Sequence, residues 1–90
     1  MDKQVWVFNG AESRFPSGIF LQKVTAADWI KKKKLTGILT LYPVNIGVYE
    51  WAIGNDIFIP KKENHFSPSF IQGFTSASME HYHFENGEEV

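Results

Sequence analysis

The sequence predicts an α+β domain in which a small, mainly antiparallel sheet of about four strands carries two or three short helices. Two observations lead there. Short apolar runs bounded by turn residues recur at Val5–Phe8, Gly18–Gln22, Ile38–Tyr42 and Met79–Phe84, the lengths and β-branched or aromatic content of strands. Between them stand stretches with helical spacing and cap residues, the clearest from Thr25 to Lys34. Ninety residues supply one modest core, so the chain reads as a single globular domain over 1–90.

Val5, Trp6, Val7 and Phe8 run without a polar break to Asn9-Gly10, which predicts a first strand covered on both faces. Arg14, the only arginine, sits in the following loop with Pro16 and Ser17. An exposed loop cation commonly contributes nothing measurable, whereas a guanidinium fork suits a carboxylate or another anion, so Arg14 is a candidate contact residue. Gly18 to Gln22 is the hairpin partner of the first strand. Thr25 and Asp28 have the spacing of a capping box and Val24 and Trp29 that of a hydrophobic staple, so a helix is expected to open at Thr25, with Gly37 as its stop or turn residue. Ala26, Trp29 and Ile30 share its inner face. Lys31 to Lys34 fill the last turn, where positive charge opposes the negative end of the macrodipole.

The longest mostly apolar stretch, Leu35 to Ile53, opens with a third strand over Ile38–Tyr42, ended by Pro43. From Asn45 to Asn55 two patterns compete. Ile46, Val48 and Glu50 alternate as in a strand, while Val48, Tyr49, Ala52 and Ile53 form a helical stripe, with Asn45 as cap and Gly54 as terminator. The helical pattern is preferred. Trp51 in this stretch is either core or a contact platform. Ile57–Ile59 reads as a brief extended piece and Lys61 to His65 as an exposed connection. Ser67-Pro68 is a cap followed by proline at the first helical position, giving one or two turns to Gln72 before Gly73. Met79–Phe84 is the last strand, after which Asn86-Gly87 and Glu88-Glu89 are expected to fray.

Composition excludes several functions. A net charge of −1 provides no long-range field for nucleic acid or an anionic membrane, and Lys31–Lys34 lack the interleaved aromatics of a nucleic-acid footprint. No cysteine is present, which excludes disulfides and thiolate chemistry and fits a cytoplasmic setting. The start, Met1-Asp2-Lys3-Gln4 before a short apolar run, lacks the features of a secretory signal, and no stretch approaches the roughly 18 apolar residues of a membrane span. Nucleophile-elbow, P-loop, dinucleotide and zinc-protease motifs are all missing, and the serines stand in turn or cap contexts. No catalytic residue and no cofactor follow from the sequence.

The strongest concentration of chemistry lies on the last strand. Alternation places Met79, His81, His83 and Glu85 on one face and Glu80, Tyr82 and Phe84 on the other. If the rings of Tyr82 and Phe84 enter the core, the two imidazoles face outward, and His65 from the long connection is a candidate third nitrogen. A His-x-His pair is commonly polar decoration of a wet face. The alternative is a metal-binding sensor or metal-dependent enzyme using the His81/His83 face of the strand, with His65 as a candidate third ligand.

The words WVFNG (6–10), RFPSG (14–18), GVYEWAI (47–53) and SASMEHYHFENG (76–87) span nearly the whole chain. On them the sequence resembles a family of small, mostly bacterial proteins catalogued as a domain of unknown function. The resemblance implies a standalone cytoplasmic domain and carries over no activity, cofactor or catalytic residue. Aromatic residues make up 16% of the chain, enough to leave some for a contact surface. The function expected from the whole is a non-enzymatic protein-binding module, a toxin-immunity protein being one concrete form and a homodimer another outcome. Arg14, Trp51, His81 and His83 are its candidate contacts. Inhibitors of basic nucleases are usually acidic, and here only Glu85 to Glu89 is so.

Overall fold

The computed structural model describes residues 3–90; Met1 and Asp2, with which the N-terminal expectation begins, lie outside the described residues. Five strands form one antiparallel sheet in the order β2-β1-β3-β4-β5, with β1 at Gln4–Gly10, β2 at Gly18–Phe20, β3 at Gly37–Pro43, β4 at His81–Glu85 and β5 at Glu88–Glu89. Helix α1, Lys23–Lys33, covers one face of it. Helices α2 (Val48–Gly54) and α3 (Pro68–Gln72), with a 3-10 turn over Glu63–Phe66, are inserted between β3 and β4. The α+β class holds, with one strand more than expected.

Register decides which side chains meet. Trp6 lies opposite both Phe20 and Leu41, and Leu39 lies opposite both Phe8 and Tyr82. These rings and leucines therefore share the face on which α1 sets Ala26 and Ile30, and together with Phe84 they form the sheet core. Trp29 adds an edge-on contact with Phe8 at 5.7 Å and a tilted one with Phe20 at 5.4 Å. Gly37 stands where β3 comes closest to β1. A Cβ there would lie 2.4 Å from the Asn9 carbonyl oxygen, so glycine permits the pairing of Gly37 with Gly10.

Several local expectations are corrected. Helix α1 begins two residues before Thr25, with Gln22 as an N-cap that makes no side-chain bond, so Thr25 and Asp28 lie inside the helix and form no capping box. Its first main-chain bond runs from the Ala26 N–H to the Gln22 carbonyl, because the chain turns into the helix directly after β2. Gly37 is not its terminator. Lys34 takes the left-handed conformation (φ 56°), and the Leu35 N–H reaches back 3.0 Å to the Ile30 carbonyl. The helix expected around Val48–Ile53 is present, but Gly47 caps it and Asn45 instead has a positive φ of 67°. Ile57–Ile59 joins no strand, and the connection after Lys61 contains the 3-10 turn.

The C-terminal expectation of fraying is also overturned. Asn86 and Gly87, both at positive φ, make the tight turn that twisted hairpins favour, and β5 pairs back on β4. The Gly87 N–H donates to the Leu35 carbonyl at 2.8 Å, and the Asn86 N–H to the Thr36 hydroxyl at 3.0 Å. Lys23 holds the same corner from the helix side, 3.6 Å from the Glu89 carboxylate and 3.4 Å above the Tyr82 ring.

The inserted segment has its own apolar centre. Tyr49 is buried among Phe58, Phe70 and Phe74, and its hydroxyl donates to the His65 carbonyl at 2.8 Å. Among the described residues no helix is long and apolar enough to cross a membrane.

Candidate functional site: the uncovered face of the sheet

The face opposite α1 is built by the alternate residues of the same strands. Val5 lies across from Tyr42, Val7 across from Thr40 and Ile19, Asn9 across from Ile38, and Ile38 and Thr40 across from His83 and His81. Ile19 is 66% and Ile38 38% exposed, while Val5, Val7, Asn9, Thr40 and Tyr42 are half-buried. A wet antiparallel face ordinarily reads polar at its outward positions. Here β1, β2 and β3 turn out Val5, Val7, Ile19, Ile38 and Tyr42, with Asn9 and Thr40 between them and no charge at any of these positions. The first strand is thus covered on one face only.

The surface is a trough with raised ends. Pro16 from the β1–β2 loop closes a hollow of about 480 Å³ floored by Val7, Ile19, Thr40 and Tyr42. Thr40 and Tyr42 continue into a shallower hollow of about 230 Å³, bordered by Thr75–Ala77 and Met79 of the inserted segment and by His81. A third hollow, about 510 Å³, lies where β1 meets the start of β3, with Glu12, Ser13, His83 and Glu85 on its walls. Apolar floor, uncharged centre and ionisable margin are thereby arranged across one surface.

The predicted contact residues divide. Tyr82 and Phe84 do face α1, so His81 and His83 point outward as expected, both exposed, their ring centroids 5.6 Å apart. The His81 Nδ1 is 2.7 Å from the Met79 carbonyl oxygen. Arg14 is exposed in the β1–β2 loop, beyond the end of the sheet where Gly10 pairs with Gly37. Trp51 is half-buried on α2, in the segment that leaves the opposite end of β3 at Pro43. The structure does not bring those two together with the imidazoles.

His65 is placed elsewhere too. Its ring lies tilted against Phe70 at 4.9 Å and meets Phe58 edge-on at 5.3 Å, and its Nδ1 accepts from the Lys61 and Lys62 amides at 3.0 and 3.2 Å. It serves the inserted segment as a cap, and the three-imidazole set of His65, His81 and His83 is not assembled. Among the described residues no group of three or more His, Cys, Asp or Glu is spaced to hold a metal ion.

On the helix side, Tyr82 donates its hydroxyl to Glu80. That bond, the partial shielding of the phenol and the nearby Glu80 and Glu89 carboxylates raise its pKa above the usual 10.0. Sequence reasoning does not single out the apolar members of the open face, although their signal is present. In Val5–Phe8 and Ile38–Tyr42 both alternating sets are largely apolar, so one set must face away from α1.

A family model described as a domain of unknown function (DUF7710) matches residues 5–90, and the chain belongs to that family. No curated protein and no solved structure matches it.

Proposed function

We propose that this DUF7710 member is a non-enzymatic protein-binding module whose contact surface is the uncovered face of the sheet, a toxin-immunity inhibitor being one concrete form. The supporting observation is the run of uncharged, largely apolar outward positions on β1, β2 and β3. Water gains nothing from such a face, and its burial is worth about 25 cal/mol for each Å² of apolar area covered. The margin of His81, His83 and Glu85 then gives the polar rim that surrounds the dry centre of a typical interface.

The test compares tagged wild-type protein with Ile38→Glu and with Lys32→Glu on the exposed side of α1, in affinity capture from the native host and in light scattering across concentration. A charge at position 38 is expected to weaken the association by at least about tenfold, since uncompensated charge in an interface centre costs several kcal/mol. Lys32→Glu should leave it unchanged. A wild-type protein that captures nothing at any salt concentration and stays monomeric at every concentration refutes the reading. A dimer dispersed by Ile38→Glu would make the partner a second copy of the chain.

A further inference from the structure

We propose that His81 and His83 form a two-imidazole chelate for a borderline-soft divalent cation such as zinc or nickel, at the margin of the uncovered face. The inference goes beyond the protein-binding reading and stands or falls separately from it. Three observations carry it. Both rings leave the same face of β4 two residues apart and both are exposed, so an ion reaches them without displacing core side chains. Their centroids are 5.6 Å apart. An ion bound about 2.05 Å from one nitrogen of each ring, at about the tetrahedral angle, would place the two ring centres about 5.2 Å apart; the rings stand edge-on at 71°, so closing the site takes rotation of these exposed side chains to turn one nitrogen of each toward the ion.

The third observation is the bond at His81. A carbonyl oxygen only accepts, so the Nδ1 that lies 2.7 Å from the Met79 carbonyl carries the hydrogen. The lone pair of the neutral ring is then on Nε2, and the ring is oriented by the kind of main-chain contact that supports metal-ligating histidines. Glu85, next on the same face, and Glu88, paired with it on β5, add negative charge beside His83. Neither is counted as a ligand. Water, or a side chain of whatever covers the face, fills the remaining coordination positions.

Calorimetric titration of the folded protein with zinc chloride and nickel chloride tests this, using wild type, His81→Gln, His83→Gln and His65→Gln. One ion per chain is expected. Because a chelate needs both rings, either single replacement on β4 should weaken binding by about tenfold or more, whereas His65→Gln should leave it unchanged. Two independent single-histidine sites would instead lose half the stoichiometry at unaltered affinity, which overturns the proposal. So does binding that survives either β4 replacement, or no heat with wild type. In wild type itself, the imidazole proton signals of His81 and His83 should shift together during the titration, and signals that move at different ion concentrations would again overturn it.

Discussion

Tyr82 shows how one side chain joins a cation and a carboxylate on the helix side of its strand. Its ring helps to cover the sheet core under Lys23 while its hydroxyl is tied to Glu80, two residues back along the chain. The bond to Glu80 favours the neutral phenol, and because the folded-state pKa is raised, the stability it lends is complete below the unfolded value of 10.0 and is lost as pH rises through the folded one. In an alkaline titration followed by phenolate absorbance, wild type should therefore ionise one tyrosine later than Glu80→Gln does. Identical curves would show that the carboxylate has no hold on the ring. His65 offers the complementary lesson. As a residue type in a polar stretch it reads equally well as ligand or decoration, and only the three-dimensional placement of the Lys61 and Lys62 amides reveals a cap.

At the level of elements, what is legible in the sequence is the apolar pattern, and what is not is the competition among caps. Ser67 caps α3 as its sequence demands, accepting from the Phe70 N–H at 3.1 Å ahead of Pro68. Thr25 and Asp28 carry an equally good signal and are bypassed, since β2 ends at Phe20 and the chain can enter the helix two residues sooner while still placing Ala26 and Ile30 on the core. The orientation of β4 follows from alternation alone. The terminal hairpin escapes a local reading although Asn86-Gly87 is a strong turn dipeptide, because the acidic pair after it looks too polar to pair; Lys23 and the edge of β4 supply the partners. Gly87 has a φ of 89°, and a Cβ on it would lie 3.1 Å from the Lys31 carbonyl oxygen. Gly87→Ala should accordingly cost about 1–3 kcal/mol in urea unfolding, and an unchanged midpoint would mean that the hairpin contributes nothing to stability.

The whole molecule is longer than its size requires. Its radius of gyration is 14.6 Å and its extents are 45 × 31 × 19 Å, where a compact chain of this length would have a radius of about 12 Å. The extra length comes from two apolar centres, one between α1 and the sheet and one around Tyr49 in the inserted segment. Phe58 contacts Tyr49, His65, Phe70 and Phe74 within the second of these. Phe58 is half-buried, so Phe58→Ala should destabilise that centre by about 1–3 kcal/mol, less than the loss of a fully buried ring. Amide hydrogen exchange should then accelerate in α2 and α3 well before β1 and β3. Uniform acceleration throughout would show that the two centres unfold as one.

The position of the insertion has a kinetic consequence. Strand β3 pairs with β1 and with β4, but Thr40 and His81 are brought together only by closing a loop of about 40 residues. If the aromatic cluster around Tyr49 condenses first, it shortens that loop and the closing strand can find its register sooner. The β4–β5 ribbon, and with it the outward histidine pair, would then be the last part of the chain to lock into place during refolding.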